Sequence, residues 1–162
     1  MMRFFDDIRI GDKVAIGSHL FTAEEIKTFA AQYDPQPFHL DERLAQQSHF
    51  GALVASGWHT AALWMRNMVA YRKREADAMR RRGEPVPVIG PSPGFKEMRW
   101  SKPVFAGDTI SFTTEAIETR VSKTRPEWGL VRLLNSGTNQ DGVQVITFVS
   151  TAFIERRDKT PL

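Results

Sequence analysis

From Trp58 to about Arg80 the chain contains neither proline nor glycine. At about 1.5 Å per residue this allows a helix roughly 34 Å long. Its first half, Trp58 to Tyr71, is apolar on most sides, with Trp58, Leu63, Trp64, Met65, Met68 and Val69. A helix apolar nearly all round belongs in a core, so this half is expected to be buried. The second half, beginning at Arg72-Lys73-Arg74, is charged and is expected to project into solvent. Whatever else the chain forms must wrap around that long helix.

The flanking segments supply the wrapping. Lys13–Phe21 reads as a strand. Thr22-Ala23-Glu24-Glu25 is a capping box, in which Thr22 and Glu25 satisfy each other's free backbone donors. Ile26, Phe29 and Ala30 then fall on one helical face. That helix must stop near Tyr33, because Pro35 and Pro37 disfavour helical geometry before them. Asp34–His39 is therefore predicted to be a stiff non-helical loop, and Asp41–Gln47 a short helix capped by Asp41.

After the long helix, Gly83–Gly94 holds Pro85, Pro87, Pro91 and Pro93. It resembles a domain linker, but the chain beyond Gly94 has no helix to cover an apolar face, so this stretch is expected to be a loop within one domain. Strands are predicted over Phe95–Val104, Thr109–Ser122, Leu130–Asn139 and Val143–Glu155, with turns at Gly107-Asp108 and Asp141-Gly142. The last strand is apolar on both faces and must be covered on both sides or paired in an oligomer. The expected architecture is α+β, a single domain over residues 1–162 with an antiparallel sheet around a central helix.

Composition removes several chemistries. The chain has no cysteine, which excludes disulfides, thiolate metal sites and a cysteine nucleophile. His39, His49 and His59 show no metal-ligand spacing, and no metal is expected. The net charge of +3 is small, and much of the excess lies between Arg72 and Arg82. Such a patch suits an anionic ligand group or a solvated helix end better than nucleic acid. No stretch is long and apolar enough to span a membrane. The start of the chain lacks an apolar leader, and a cytoplasmic location is expected.

Two segments could carry chemistry. Asp34-Pro35-Gln36-Pro37-Phe38-His39 puts a carboxylate and an imidazole in a stiffened loop, where both could engage one water, the carboxylate taking its proton and the imidazole orienting it. The plainer alternative is a capping aspartate beside a satisfied loop histidine. Ser56-Gly57-Trp58 stands at the mouth of the long helix. Its free N–H groups could hold an oxygen that gains charge, or Ser56 could simply be a cap and Gly57 a close-packing residue. Trp58 and His59, in the first turn, are candidates for lining a pocket, with core or interface packing as the alternative.

The order of these residues resembles the MaoC-like dehydratase family, which includes the (R)-specific enoyl-CoA hydratases. Asp34, His39, Asp41, Phe50-Gly51 and Ala55-Ser56-Gly57 carry the resemblance. Ile10-Gly11-Asp12, Arg99-Trp100, Lys102-Pro103-Val104, Gly107-Asp108-Thr109 and Asn139-Gln140-Asp141-Gly142 extend it over nearly the whole chain. It implies a hot-dog fold and a homodimer or higher homo-oligomer. It also implies reversible addition of water to a trans-2-enoyl thioester carried on CoA or an acyl carrier protein, with no cofactor. Asp34 and His39 would activate the water, and Gly57 N–H would bind the thioester oxygen. Ser56, Trp58 and His59 are candidates for substrate contact from their place at the helix mouth alone, and packing is the plainer reading of Trp58 and His59. Tyr33 and Gln36 replace a usual glycine and asparagine, and Met65 stands where some members carry a small hydroxyl residue, which bears on pocket width. A hot-dog thioesterase is disfavoured, because no carboxylate lies between Trp58 and Arg74. A non-catalytic acyl-thioester-binding subunit of a larger dehydratase is the other alternative.

Overall fold

The computed structural model describes residues 2–157. After a 3-10 turn at Phe5–Asp7 come β1 (Lys13–Leu20), α1 (Ala23–Tyr33), α2 (Pro37–Leu40), α3 (Glu42–Gln46) and α4 (Gly57–Arg81). Next along the chain are β2 (Phe95–Trp100), β3 (Thr109–Val121), β4 (Trp128–Thr138) and β5 (Gln144–Glu155). The strands form one antiparallel sheet in the order β1-β3-β4-β5-β2. α4 lies across its inner face.

The core results from strand alternation meeting helical periodicity. Ile110 and Phe112 of β3 and Ile146 and Phe148 of β5 face Leu63, Trp64 and Met68 of α4. Trp64 meets Phe148 edge-on, with ring centroids 4.6 Å apart. Further along the strands, Ala116, Val131, Leu133 and Ile154 are covered instead by Ile8 and Ile89. The proline-rich segment is thus a loop inside the domain. Gly90 N–H donates to Phe153 O at 2.8 Å, and Glu155 N–H to Val88 O at 3.0 Å. On the other face of β5, Val149 is also buried, as a strand apolar on both sides requires.

Three expectations need correction. α4 is not buried all round in its first half: Trp58, Met65 and Val69 are each more than half exposed and, with Ala62, form a stripe at helical spacing on the side away from the sheet. Nor does its second half stand free. Arg72, Ala76 and Met79 continue the inner stripe from Met68, and Ala76 and Met79 are buried. Two members of the basic run are paired, Arg80 with Asp77 and Arg82 with Glu84, at 2.8 and 2.7 Å. Finally, β2 ends at Trp100 rather than Val104, because Pro103 has no N–H to give a ladder.

Candidate active site

α1 ends where expected, and its capping box forms: Thr22 Oγ1 accepts from Glu25 N–H at 3.2 Å. Beyond Tyr33 the structure departs from the predicted loop. Pro37 opens α2, a single helical turn that carries His39. Proline is well suited to a first helical position, where its missing N–H leaves nothing unpaired. The turn rotates His39 inward until only 5% of the residue is exposed.

There His39 Nδ1 lies 2.7 Å from the carbonyl oxygen of Val54. A carbonyl can only accept, so Nδ1 carries the proton and donates. In the neutral ring Nε2 is therefore an acceptor, and it faces Asp34 Oδ2 at 3.4 Å. Burial by itself would raise the pKa of Asp34. Hydrogen bonds from the Ser56 hydroxyl and the Gln36 amide, and the neighbouring His39, outweigh it and hold the carboxyl below its ordinary value. The Gln36 bond, Nε2–H to Asp34 Oδ1, is 2.8 Å long. Gln36, a departure from the family pattern, thus still orients the carboxylate. Two acceptors facing each other across such a gap are both satisfied by one molecule that donates twice, as water does.

Ser56 joins this pair to α4. Its side chain caps the helix by accepting from Trp58 N–H at 3.2 Å, and its hydroxyl hydrogen serves Asp34. His59 and Thr60 N–H donate to Ser56 O. Among the described residues no acceptor takes Gly57 N–H, so this first-turn donor remains available at the positive end of the helix. Asp34, His39, Ser56, Gly57 and Trp58 all line one cleft of about 390 Å³. Asp34 is its only carboxylate among the described residues.

His59 does not belong to that cleft. Two residues along a helix is a rotation of about 200°, which turns its ring away from Gly57. It stacks on Phe29 with centroids 4.5 Å apart and meets Phe21 edge-on at 5.1 Å. Burial lowers its pKa to about 4; the Glu25 carboxylate opposes this and His19 adds to it. Met65 and Tyr33 also lie outside the cleft. Conversely, Trp100 and Lys102 line it. Both carry part of the family resemblance, but the sequence assigns Trp100 no role, because nothing in local spacing shows a contact spanning 43 positions.

A long helix embraced by an antiparallel sheet, with a cleft at the helix N-terminus, defines a hot-dog domain. Residues 7–132 match the family described as MaoC like domain, and the chain belongs to that family of hydratases and dehydratases. A MaoC-like dehydratase from Rhodospirillum rubrum is 33% identical, superposes with a TM-score of 0.79 and is matched over 96% of this chain and 99% of its own. The uncharacterized protein YdeM of Bacillus subtilis is 26% identical over 93% of this chain and 98% of its own. A mesaconyl-CoA hydratase of Cereibacter sphaeroides is 34% identical over 65 residues, which is 40% of this chain and 19% of that enzyme.

Proposed function

We propose that the protein adds water reversibly to a trans-2-enoyl thioester carried on CoA or an acyl carrier protein. The observation that carries this reading is the pair of acceptors, Asp34 Oδ2 and His39 Nε2, facing each other 3.4 Å apart in a cleft that also holds the unclaimed Gly57 N–H. Water donates one hydrogen to Asp34 and the other to His39, which fixes its oxygen toward C3. As the C3–O bond forms, Asp34 takes a proton and the alkene electrons move through C2 to the thioester oxygen. Gly57 N–H binds that oxygen as an enolate, aided by the helix dipole. The enolate collapses, C2 takes the proton back from Asp34, and a 3-hydroxyacyl thioester results. Every atom comes from water and substrate, so the reaction needs no cofactor.

The hydratase name of the Cereibacter sphaeroides relative supports a thioester substrate. The exposed stripe Trp58, Met65 and Val69 supports a homodimer, since an apolar stripe continuous with the cleft mouth suits a second copy. Purified protein mixed with trans-2-butenoyl-CoA is expected to bleach the enoyl absorbance and yield 3-hydroxybutyryl-CoA. Release of free CoA thiol instead would identify a thioesterase. Binding without turnover would identify an acyl-thioester-binding subunit.

A further inference from the structure

One side chain of the cleft has no part in the proton chemistry, yet it touches the residue that supplies the oxyanion donor. Trp100 ends β2, and its Nε1–H donates to the carbonyl oxygen of Gly57 at 3.0 Å. The ring lies so close to the Gly57 α-carbon that a Cβ there would stand 2.6 Å from Trp100 Cε2. The indole also meets Trp58 edge-on, with centroids 5.2 Å apart. The strand is shaped to deliver this contact. An extra residue between Lys96 and Arg99 breaks the register with β5, with Glu97 at φ 56, a conformation costly for a residue other than glycine. A bulge of this kind resets which way the following side chains point.

From these contacts we infer that Trp100 is a positioning residue for the oxyanion donor, an inference that rests on the thioester-hydratase reading. The first residue of α4 has no helical turn before it, and a glycine at that place has the widest backbone freedom of any residue. Trp100 removes that freedom twice. Its N–H holds the peptide that follows Gly57, and its ring blocks rotation of the α-carbon. The Gly57 N–H therefore already points at the thioester oxygen before charge develops there, which is where preorganised donors act. The same contacts give Gly57 a second reason to be glycine besides ligand approach.

The test uses the full chain with Trp100→Phe, which keeps a ring but removes the N–H, and Trp100→Ala, which removes both. With trans-2-butenoyl-CoA, Trp100→Phe is expected to lower kcat about tenfold with KM within about twofold, and Trp100→Ala to lower kcat about a hundredfold. Thermal midpoints should stay close to that of the wild type for Trp100→Phe. Affinity for butyryl-CoA, which has no double bond to hydrate and whose oxygen gains no charge, should change by no more than about twofold in Trp100→Phe by calorimetry. Wild-type kcat in Trp100→Phe, or a loss confined to KM and to butyryl-CoA affinity, would overturn the inference and leave the hydratase reading standing. A wild-type protein that neither hydrates nor binds thioesters would overturn both. Binding of butyryl-CoA by a wild type that turns over no enoyl thioester would likewise overturn both.

Discussion

The ring of His39 is tied through Nδ1 to the carbonyl oxygen of Val54, fifteen residues further on, at 2.7 Å. Val54 is itself held by an antiparallel bridge to Phe105, so the imidazole is anchored to the segment that joins β2 to β3. The bond settles the neutral tautomer and leaves Nε2 bare toward Asp34. Nitrogen chemical shifts of labelled protein should show the Nδ1-protonated form. His39→Gln should cut hydration at least about a hundredfold with little change in thermal midpoint, measured by loss of enoyl absorbance.

Asp34→Asn keeps shape and removes the base. Turnover should fall about a thousandfold or more. Stability carries its own signature. The native Asp34 pKa lies below its ordinary value of 3.8, so ionised Asp34 stabilises the fold fully above that value. The contribution is lost as pH falls through the lower native pKa. Asp34→Asn should therefore be less stable than wild type at neutral pH, with the gap closing under strong acid in denaturant titrations.

His59 behaves in the opposite part of the scale. Its native pKa of about 4 lies below the ordinary 6.5, so between those values the unfolded chain binds a proton that the folded chain refuses. Stability is complete above the ordinary value and shrinks as pH falls toward 4, by at most on the order of 3 kcal/mol. His59→Phe retains the aromatic contacts with Phe29 and Phe21 and abolishes the titration. Its urea midpoint relative to wild type should rise between about pH 7 and about pH 5. Because His59 is outside the cleft, kcat should hold within about threefold.

The Gly57–Trp100 contact predicts a steric coupling. Gly57→Ala drives a methyl into the indole, with the new Cβ 2.6 Å from Cε2, and should cost roughly tenfold or more in kcat/KM. In a chain that already carries Trp100→Ala the same change should cost much less. A double-mutant cycle reads the difference as a coupling energy, and strict additivity would contradict the contact.

The stripe on α4 predicts an oligomer. Met65→Glu combined with Val69→Glu places charges where apolar side chains would be covered, which an interface core tolerates poorly. Sedimentation should show a dimer for the wild type and a monomer for the double variant. A monomeric wild type at micromolar concentration would refute the dimer.

Much of the fold is legible in the sequence because each local signal stands alone. The absence of proline and glycine after Trp58, the Thr22–Glu25 capping box and the Asp141-Gly142 turn each specify an element without help from distant residues. The Asp34–His39 segment misleads at one point. Two prolines signal a break, yet Pro37 also serves as the first residue of a helical turn, and only the surrounding packing selects between those uses. The faces of α4 mislead for a related reason: apolar residues on all sides predict burial, but the sheet covers one side and leaves Trp58, Met65 and Val69 outward.

By itself the sequence determined a long central helix, an antiparallel sheet to wrap it, a carboxylate and an imidazole in one stiff segment, and a capped helix mouth at Ser56. These depend on residue type and near neighbours, through periodicity, capping and the backbone limits of proline and glycine. Only the tertiary structure decided which atoms meet. It directed Nδ1 of His39 to Val54 and Nε2 to Asp34, assigned Ser56 to both the helix and the carboxylate, and turned His59 into an aromatic cage away from the cleft. It also laid Trp100 against Gly57. Such contacts join residues far apart in the chain, and their geometry is set by how the sheet and α4 pack together, which no short stretch of sequence records.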